Sequence, residues 1–263
     1  MTVSRNRIRN KHKFRTLQVR HTRWLTDEMV RITLEGDMSE FTSAGPTDHV
    51  KVFFPGADGK LNAPWLNEEG RIQRDENLEY ISRDYTPLNW TSSTLDLDFV
   101  IHSHNGPASM WAQQASEGDQ LVVGGPRGSR EVPTGADWWV LIADASAVPA
   151  LGRWFQQAPV GQRIKAFVFG SESLADYPLP QDADVEWVLG DFDPEPHLRE
   201  LDLQEGTGYV WAAGEATSLI GLRRYLRREL EWPREQVDVD GYWRQGVGDA
   251  DHHAPIDPED PED

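Results

Sequence analysis

Two short stretches combine residue types that suit a flat, phosphate-bearing ligand. They are Arg83-Asp84-Tyr85-Thr86 and Gly106-Pro107-Ala108-Ser109. Alternate side chains of a strand share a face, so Arg83 and Tyr85 can point into one groove, where the ring can stack on a flat ligand and the guanidinium can pair with a phosphate. A Gly-Pro turn before a helix offers backbone N–H groups and the Ser109 hydroxyl to an anion. Together the two stretches predict a site for a flavin dinucleotide.

Each stretch alone also has an ordinary explanation. Arg-x-Tyr-Thr occurs by chance in many edge strands, and Gly-Pro-Ala-Ser is a common start of a helix. The flavin prediction depends on both stretches lying in the first half of a chain whose second half is a different kind of domain.

The composition excludes several classes of protein. The chain has 263 residues, a hydrophobic content of 38%, 11 Trp and no Cys, so it can build one or two cores but has no thiol for a disulfide, an iron–sulfur cluster or catalysis. The net charge of −18 disfavours nucleic acid as a partner. We find neither an apolar run of bilayer length nor a signal-peptide pattern, and we expect a cytoplasmic protein.

The two ends of the chain differ in charge. Basic residues alternate with apolar ones between Arg5 and Arg15, which predicts a first strand with one charged face. Residues 249–263 are acidic and rich in Pro, and we expect a disordered tail. His252 and His253 lie in that tail, and solvated side chains are favoured there over a metal site.

The first half of the chain has the pattern of a small β-barrel. Apolar, β-branched or aromatic runs bounded by turn residues predict strands at 17–21, 29–34, 49–54, 80–87, 96–101 and 120–123. A short helix is predicted at 109–116 and a long surface loop at 55–77. Six short strands favour an antiparallel barrel over residues 1–135.

The second half, residues 136–248, has the pattern of an α/β domain. Apolar strands at 138–143, 163–170, 185–189, 208–213 and 237–243 alternate with helices at 150–157 and 216–229. Ligands of such sheets bind at the carboxyl ends of the strands. The candidates there are Asp144 with Ser146 in the next loop, and Ala213-Gly214-Glu215.

Taken in order, these motifs resemble the siderophore-interacting proteins, flavin-dependent ferric-siderophore reductases related to ferredoxin–NADP reductases. The resemblance covers nearly the whole chain apart from the tail. The matching stretches are Asp48–Pro55, Arg83–Thr86, Asp98–His102, Gly106–Ala112, Gly125–Ser129, Pro149–Trp154, Trp211–Glu215 and Gly241–Gly246.

The resemblance implies non-covalent FAD. Arg83, Asp84, Tyr85 and Thr86 would contact the flavin and phosphate, and His102, Gly106, Pro107, Ala108, Ser109 and Trp111 the pyrophosphate and ribityl region. It also implies a cluster of one Lys and two Arg for the anionic substrate, and the matching positions are Lys51, Arg127 and Arg244, with Arg130 as an alternative to Arg127. Two positions depart from the family: Leu88 stands where an Arg is common, and Ser146 replaces a frequent Thr.

The hypothesis is that NAD(P)H reduces Fe(III) in a siderophore through FAD and so releases Fe(II). No protein acid or base is obviously required, although Thr86 near the flavin N5 could help to manage a proton. An acidic chain repels NADPH and ferredoxin alike, which favours NADH as the donor.

Two alternatives remain open. One is a general flavin or quinone reductase, which would lack the basic cluster. The other is a non-catalytic siderophore-binding protein, which would bind the chelate without a flavin.

Overall fold

The computed structural model describes residues 2–101, 106–247 and 255–261. The chain divides into two compact units, one of residues 7–130 and one of residues 1–6 with 131–263. His102 and the His252-His253 pair lie outside the described residues. None of the helices in the described ranges is both long enough and apolar enough to cross a membrane.

The first unit is a curled antiparallel sheet with one helix. Its elements are β1 (Arg7–Arg9), β2 (Phe14–Thr26), β3 (Met29–Glu35), β4 (Val50–Phe54), β5 (Trp65–Leu66), β6 (Ile72–Gln73), β7 (Ile81–Tyr85), β8 (Thr94–Val100), α1 (Pro107–Gln114), β9 (Gln120–Gly124) and β10 (Gly128–Arg130). Six strands form the sheet in the order β7-β4-β9-β2-β3-β8, and β1 pairs with β10. The predicted six-stranded antiparallel architecture is confirmed.

The alternating pattern of β2, β3 and β8 explains the core of this unit. One face of each strand buries apolar side chains, among them Leu17, Val19, Ile32, Leu34, Leu95 and Leu97. The two edges of the sheet approach each other just beyond β7, where Leu88 and Asp96 exchange backbone hydrogen bonds of 2.9 and 3.0 Å. The sheet therefore curls into a half-barrel around the core.

Local details of the first unit differ from the sequence-based expectation. Helix α1 begins at Pro107, two residues before the predicted start. Proline suits the first helical position because it has no N–H, and an N–H at that position would have no partner within the helix. The predicted loop at 55–77 contains the hairpin β5–β6. The first strand predicted between Arg5 and Arg15 is divided into β1 and the start of β2, and the short strand β10 was not predicted.

The second unit is a parallel sheet with helices. Its elements are β11 (Trp138–Asp144), α2 (Val148–Gln157), β12 (Arg163–Gly170), β13 (Val185–Leu189), α3 (Pro194–Glu200), β14 (Gly208–Glu215), α4 (Leu219–Arg224) and β15 (Val237–Trp243). The strand order is β13-β12-β11-β14-β15, with parallel pairing throughout. Every residue of β11 and β14 is buried, which is why these strands are continuous apolar runs. The predicted parallel α/β domain is confirmed.

The N-terminal residues belong to the second unit. Val3 is buried, Ser4 bridges to Thr134, and the buried guanidinium of Arg5 forms an ion pair with Asp238 and donates to the Tyr209 hydroxyl at 3.1 Å. The same guanidinium lies 5.1 Å over the ring of Trp154. Residues 1–6 are therefore grouped with the second unit, and Arg5 is a buried ion-pair partner rather than part of a charged strand face.

The described part of the acidic end of the chain makes contacts with the second unit. Residues 255–261 pack on the second unit, with Ile256 and Asp257 buried. Asp257 accepts from Arg224 at 2.6 Å, and Asp260 accepts from Arg228 Nε at 2.7 Å. The hydrogen bond from Arg228 lowers the pKa of Asp260 to about 2. The acidic composition that suggested disorder matches basic side chains of α4 and of the π-helical segment Tyr225–Glu229 that continues it.

Removing the buried cation at Arg5 breaks its ion pair with Asp238. We expect Arg5→Met to lower the free energy of unfolding by about 3 kcal/mol, as for other broken buried ion pairs. Urea unfolding measures this, with Arg7→Met on the exposed face of β1 as the control, which should change stability by less than about 0.5 kcal/mol. Equal effects of the two substitutions would contradict a structural role for Arg5.

Candidate functional site

The register between β4 and β7 decides which side chains share a face in the first unit. Arg83 lies opposite Val52 and Tyr85 opposite Val50, and both valines are buried in the core. Residues directly opposite each other point to the same side of a sheet. Arg83 and Tyr85 therefore lie on the concave face, as their spacing predicted.

Asp84 lies on the other face. It stands opposite Lys51, and the two side chains form an ion pair with an N–O distance of 2.9 Å. The structure thus brings a predicted cofactor residue and a predicted substrate residue together, on the convex side of the sheet. The Asp84 side chain faces away from Tyr85, so the pleat separates it from the groove that Arg83 and Tyr85 share.

An aromatic cluster joins β7 to helix α1. The ring of Tyr85 packs on Phe99 with centroids 4.3 Å apart, and Trp111 of α1 packs on Phe99 at 6.0 Å and on Phe54 at 5.6 Å. Such aromatic pairs restrict both distance and orientation. The cluster therefore brings the two stretches singled out in the sequence, 83–86 and 106–109, to one part of the unit.

Helix α1 presents its N-terminus uncapped. Gly106 is the N-cap residue, no side chain of the described residues caps it, and a side-chain carbon at Gly106 would meet nothing within 4 Å. Ala108 and Ser109 in the first turn are buried. A helix start that no described side chain caps is suited to a phosphate group.

These features fit FAD. Tyr85 is half-buried and supplies a ring face, and burial raises the pKa of its hydroxyl, which therefore stays protonated. Arg83 is half-buried, with Nη1 donating to the Ser82 carbonyl oxygen at 2.6 Å, and Thr86 is buried at the end of β7. A ring face suits stacking on a flavin, and a cation and a helix N-terminus suit its pyrophosphate.

The carboxyl ends of the second unit's strands are organised around Asp144. Its Oδ1 accepts from the Ser146 N–H at 2.9 Å and from the Ser146 hydroxyl at 2.5 Å. Its Oδ2 accepts from the Glu215 N–H at 2.9 Å and from the Trp243 indole at 2.7 Å. Burial raises the pKa of Asp144 in spite of these four donors.

Glu215 makes a second set of internal contacts. Its carboxylate accepts from the Ser218 N–H at 2.8 Å and from the Gln245 N–H at 3.1 Å. Burial opposes the ionisation of Glu215, but these hydrogen bonds outweigh it and lower its pKa. The predicted set Asp144, Ser146, Ala213, Gly214 and Glu215 is thus brought together, with its carboxylates engaged inside the unit.

The remaining predicted cations lie in separate elements. In the first unit, Arg127 and Arg130 are exposed, just before and at the end of β10. In the second unit, Arg244 follows β15 and donates from Nη2 to the Ile256 carbonyl oxygen at 3.1 Å. Each unit therefore carries part of the predicted basic set.

Sequence reasoning missed several residues of these sites. Phe54, Phe99 and Trp243 lie inside the matching stretches but were given no role. Phe99 alternates with core residues of β8, a signal that marks it as buried but does not identify Tyr85 as its neighbour. Trp243 and Ile256 gave no signal, because their partners are distant in sequence.

Comparisons with known proteins match both units. Residues 18–130 match the family model described as "Siderophore-interacting FAD-binding domain", and residues 136–246 match the one described as "Siderophore-interacting protein". The matches together span most of the chain.

Individual proteins match over nearly their whole length. The NADPH-dependent ferric-chelate reductase of Escherichia coli is 34% identical over 90% of this chain and 95% of its own length. The ferric vibriobactin reductase ViuB of Vibrio cholerae is 30% identical over 91% of this chain and 92% of its own. The crystal structure of a siderophore utilization protein from T. fusca, 34% identical, covers 95% of this chain and 100% of its own with a TM-score of 0.87.

Gly214 allows the close approach of Asp144 to β14. Its φ is +153°, and an added Cβ would lie 2.6 Å from the Asp144 carboxyl carbon, which four hydrogen bonds hold in place. We expect Gly214→Ala to destabilise the second unit by about 1–3 kcal/mol, as overpacking does. The matched control is Gly190→Ala, where φ is also positive but nothing lies within 4 Å. Thermal unfolding of both variants checks this. If both lose the same stability, the backbone conformation alone explains the effect and the contact with Asp144 does not.

Proposed function

We propose that this chain, which belongs to the siderophore-interacting protein family, reduces ferric siderophores with electrons that pass from a nicotinamide nucleotide through FAD. The observation that carries the proposal is the aromatic cluster of Tyr85, Phe99 and Trp111, which joins the Arg83–Thr86 strand to the α1 N-terminus inside the segment that matches an FAD-binding domain. A cytoplasmic location stays a prediction.

The residues of the first unit divide the binding of FAD between them. Tyr85 holds the flat ring, Arg83 pairs with a phosphate, and the first turn of α1, from Gly106 to Ser109, receives the pyrophosphate through backbone N–H groups. Thr86 closes the end of β7 beside Tyr85. FAD, when bound, accepts a hydride and donates single electrons, which is the conversion that a one-electron acceptor such as Fe(III) needs.

The chain's own part in the reaction is binding and orientation. Fe(II) binds hard oxygen ligands less tightly than Fe(III) does, so reduction releases the metal without a protein ligand to iron. The protein has to hold the chelate, and on a chain of net charge −18 local cations are needed to attract an anionic one.

We propose that three cations bind the chelate. They are Lys51 and Arg127 in the first unit and Arg244 in the second, with Arg130 as an alternative to Arg127. Arg127 is exposed. Lys51 is held by Asp84, so it would exchange a protein carboxylate for a ligand anion.

We propose NADH as the electron donor because the charge of the loops after β12 and β13 is negative. Binding of NADPH usually requires an Arg near the ends of the strands, whereas an acidic residue there suits the ribose of NADH. Residues 170–198, which include the loops after β12 and β13, contain no Lys or Arg but carry Glu172, Asp176, Asp182, Asp184, Glu186, Asp191, Asp193 and Glu195. Such a surface repels the additional phosphate of NADPH and an acidic ferredoxin.

An anaerobic absorption titration tests the function. The purified protein, loaded with FAD, should lose its flavin absorption with NADH and regain it when a ferric siderophore is added, while an Fe(II) indicator develops colour. NADPH at equal concentration should react more slowly. Bleaching without discrimination between iron chelates and quinones would indicate a general reductase, and a protein that binds the chelate but no FAD would be a carrier.

Arg83→Ala tests the FAD site directly. We expect the Kd for FAD to rise about 10- to 100-fold, because a hydrogen bond to a charged group contributes about 1.5–3 kcal/mol. Ser82→Ala is the matched control, since it neighbours Arg83 in β7 but lies on the opposite face. Calorimetric titration of the apoprotein measures both constants. An effect of Ser82→Ala as large as that of Arg83→Ala would place the flavin elsewhere.

A further inference from the structure

We propose that Asp144 and Glu215 are positioning residues for Arg244, rather than contacts to the nucleotide. The inference rests on the proposed role of Arg244 in binding the ferric chelate. It concerns the second unit alone, where all three residues lie.

Asp144 has no capacity left for a ligand. Its two oxygens accept four hydrogen bonds from within the unit, and the residue is 7% exposed. Two of the donors are the backbone N–H groups of Ser146 and Glu215, which a parallel sheet would otherwise present to a phosphate at its carboxyl edge. Asp144 therefore takes the place of an anionic ligand.

The donors to these carboxylates flank Arg244 on both sides. Asp144 holds the indole of Trp243, the residue before Arg244, and Glu215 holds the N–H of Gln245, the residue after it. The Trp243 carbonyl oxygen also accepts from the Ala216 N–H at 2.8 Å. The peptide groups before and after Arg244 are thus both held by hydrogen bonds, the first through the Trp243 carbonyl oxygen and the second through the Gln245 N–H.

A tight turn completes the arrangement. The Val247 N–H donates to the Arg244 carbonyl oxygen at 3.1 Å, and Gly246 has a φ of +77°. This is the conformation that a glycine adopts without strain, so the segment 244–247 closes on itself. The backbone that carries Arg244 is held at residues 243, 245 and 247.

The guanidinium of Arg244 keeps its charge available. Its hydrogen bond goes to the Ile256 carbonyl oxygen, which carries no net charge, and among the described residues no carboxylate pairs with it. The nearby arginines of α4 and its continuation differ, because Arg224 pairs with Asp257 and Arg228 with Asp260. The segment 255–261 therefore neutralises its neighbours and orients Arg244 without neutralising it.

The physical advantage of such an arrangement is preorganisation. A free arginine side chain loses rotamer freedom when it binds a ligand, at a cost of about 0.5–1.5 kcal/mol. Fixing the backbone and one guanidinium nitrogen in advance reduces that cost. Loss of either carboxylate contact should therefore weaken binding of an anionic chelate, and only when Arg244 is present.

A double-mutant cycle on the FAD-loaded protein tests this. The variants are Asp144→Asn, Glu215→Gln, Arg244→Ala and the two doubles with Arg244→Ala. The probe is the ferric tris-catecholate anion, and its Kd is measured by quenching of tryptophan fluorescence without turnover. The KM for NADH and the FAD content are measured in parallel.

We expect Arg244→Ala to raise the Kd for the chelate about tenfold and each carboxylate variant about fivefold, with the KM for NADH and the FAD content unchanged. In the Arg244→Ala background the carboxylate substitutions should have no further effect, because a residue that only positions Arg244 has nothing left to position. Asp137→Asn is the control, since it changes a carboxylate that accepts the Thr207 N–H at 2.7 Å at the other end of β11.

Full additivity in the Arg244→Ala background would overturn the inference. So would a raised KM for NADH with an unchanged Kd for the chelate, since both carboxylates would then act on the nucleotide. If Asp144→Asn fails to fold, Glu215→Gln and Trp243→Phe test the same two links. A wild-type protein that neither binds nor reduces the chelate would instead refute the proposed function, and unchanged binding in Arg244→Ala would refute the assignment of Arg244.

Discussion

One buried carboxylate sets the arrangement of the strand ends in the second unit. Asp144 receives hydrogen bonds from the loop after β11, from the end of β14 and from the residue that ends β15. A carboxyl group that is removed from water is tolerated only when its oxygens are hydrogen-bonded, and here four donors satisfy them. Two neighbouring residues depend on this carboxyl group. Position 214 in β14 must be a glycine to leave room for it, and Trp243 must point its indole towards it.

The first unit positions its candidate site by packing rather than by charge. Tyr85, Phe99, Phe54 and Trp111 form contacts that are apolar and shape-dependent, and they use up no hydrogen-bonding group. Beside this cluster the Arg83 guanidinium donates to the Ser82 carbonyl oxygen, and no side chain of the described residues caps the start of α1. In the second unit hydrogen bonds to carboxylates do the positioning, and the polar groups that take part in it are no longer available to a ligand.

The distribution of charge shows why net charge alone is a poor guide. Several arginines of the second unit are committed to carboxylates, namely Arg5, Arg199, Arg223, Arg224 and Arg228. Arg244 is held by a carbonyl oxygen instead. At physiological ionic strength exposed charges interact over about 8 Å, so a few cations with no carboxylate nearby can attract an anion on an acidic protein.

The sequence by itself determined the two kinds of domain, the family and the face that Arg83 shares with Tyr85. The domains and the shared face follow from local periodicity, since a strand alternates every second residue and a fully buried parallel strand is a continuous apolar run. The family follows from the resemblance of the motifs taken in order. Only the tertiary structure decided which polar groups are already engaged. Lys51 meets Asp84 through the register of two strands, Asp144 meets Trp243 across 99 residues, and the acidic end of the chain meets arginines of α4. A hydrogen bond depends on distances of a few tenths of an ångström between atoms far apart along the chain, and periodicity carries no information about them.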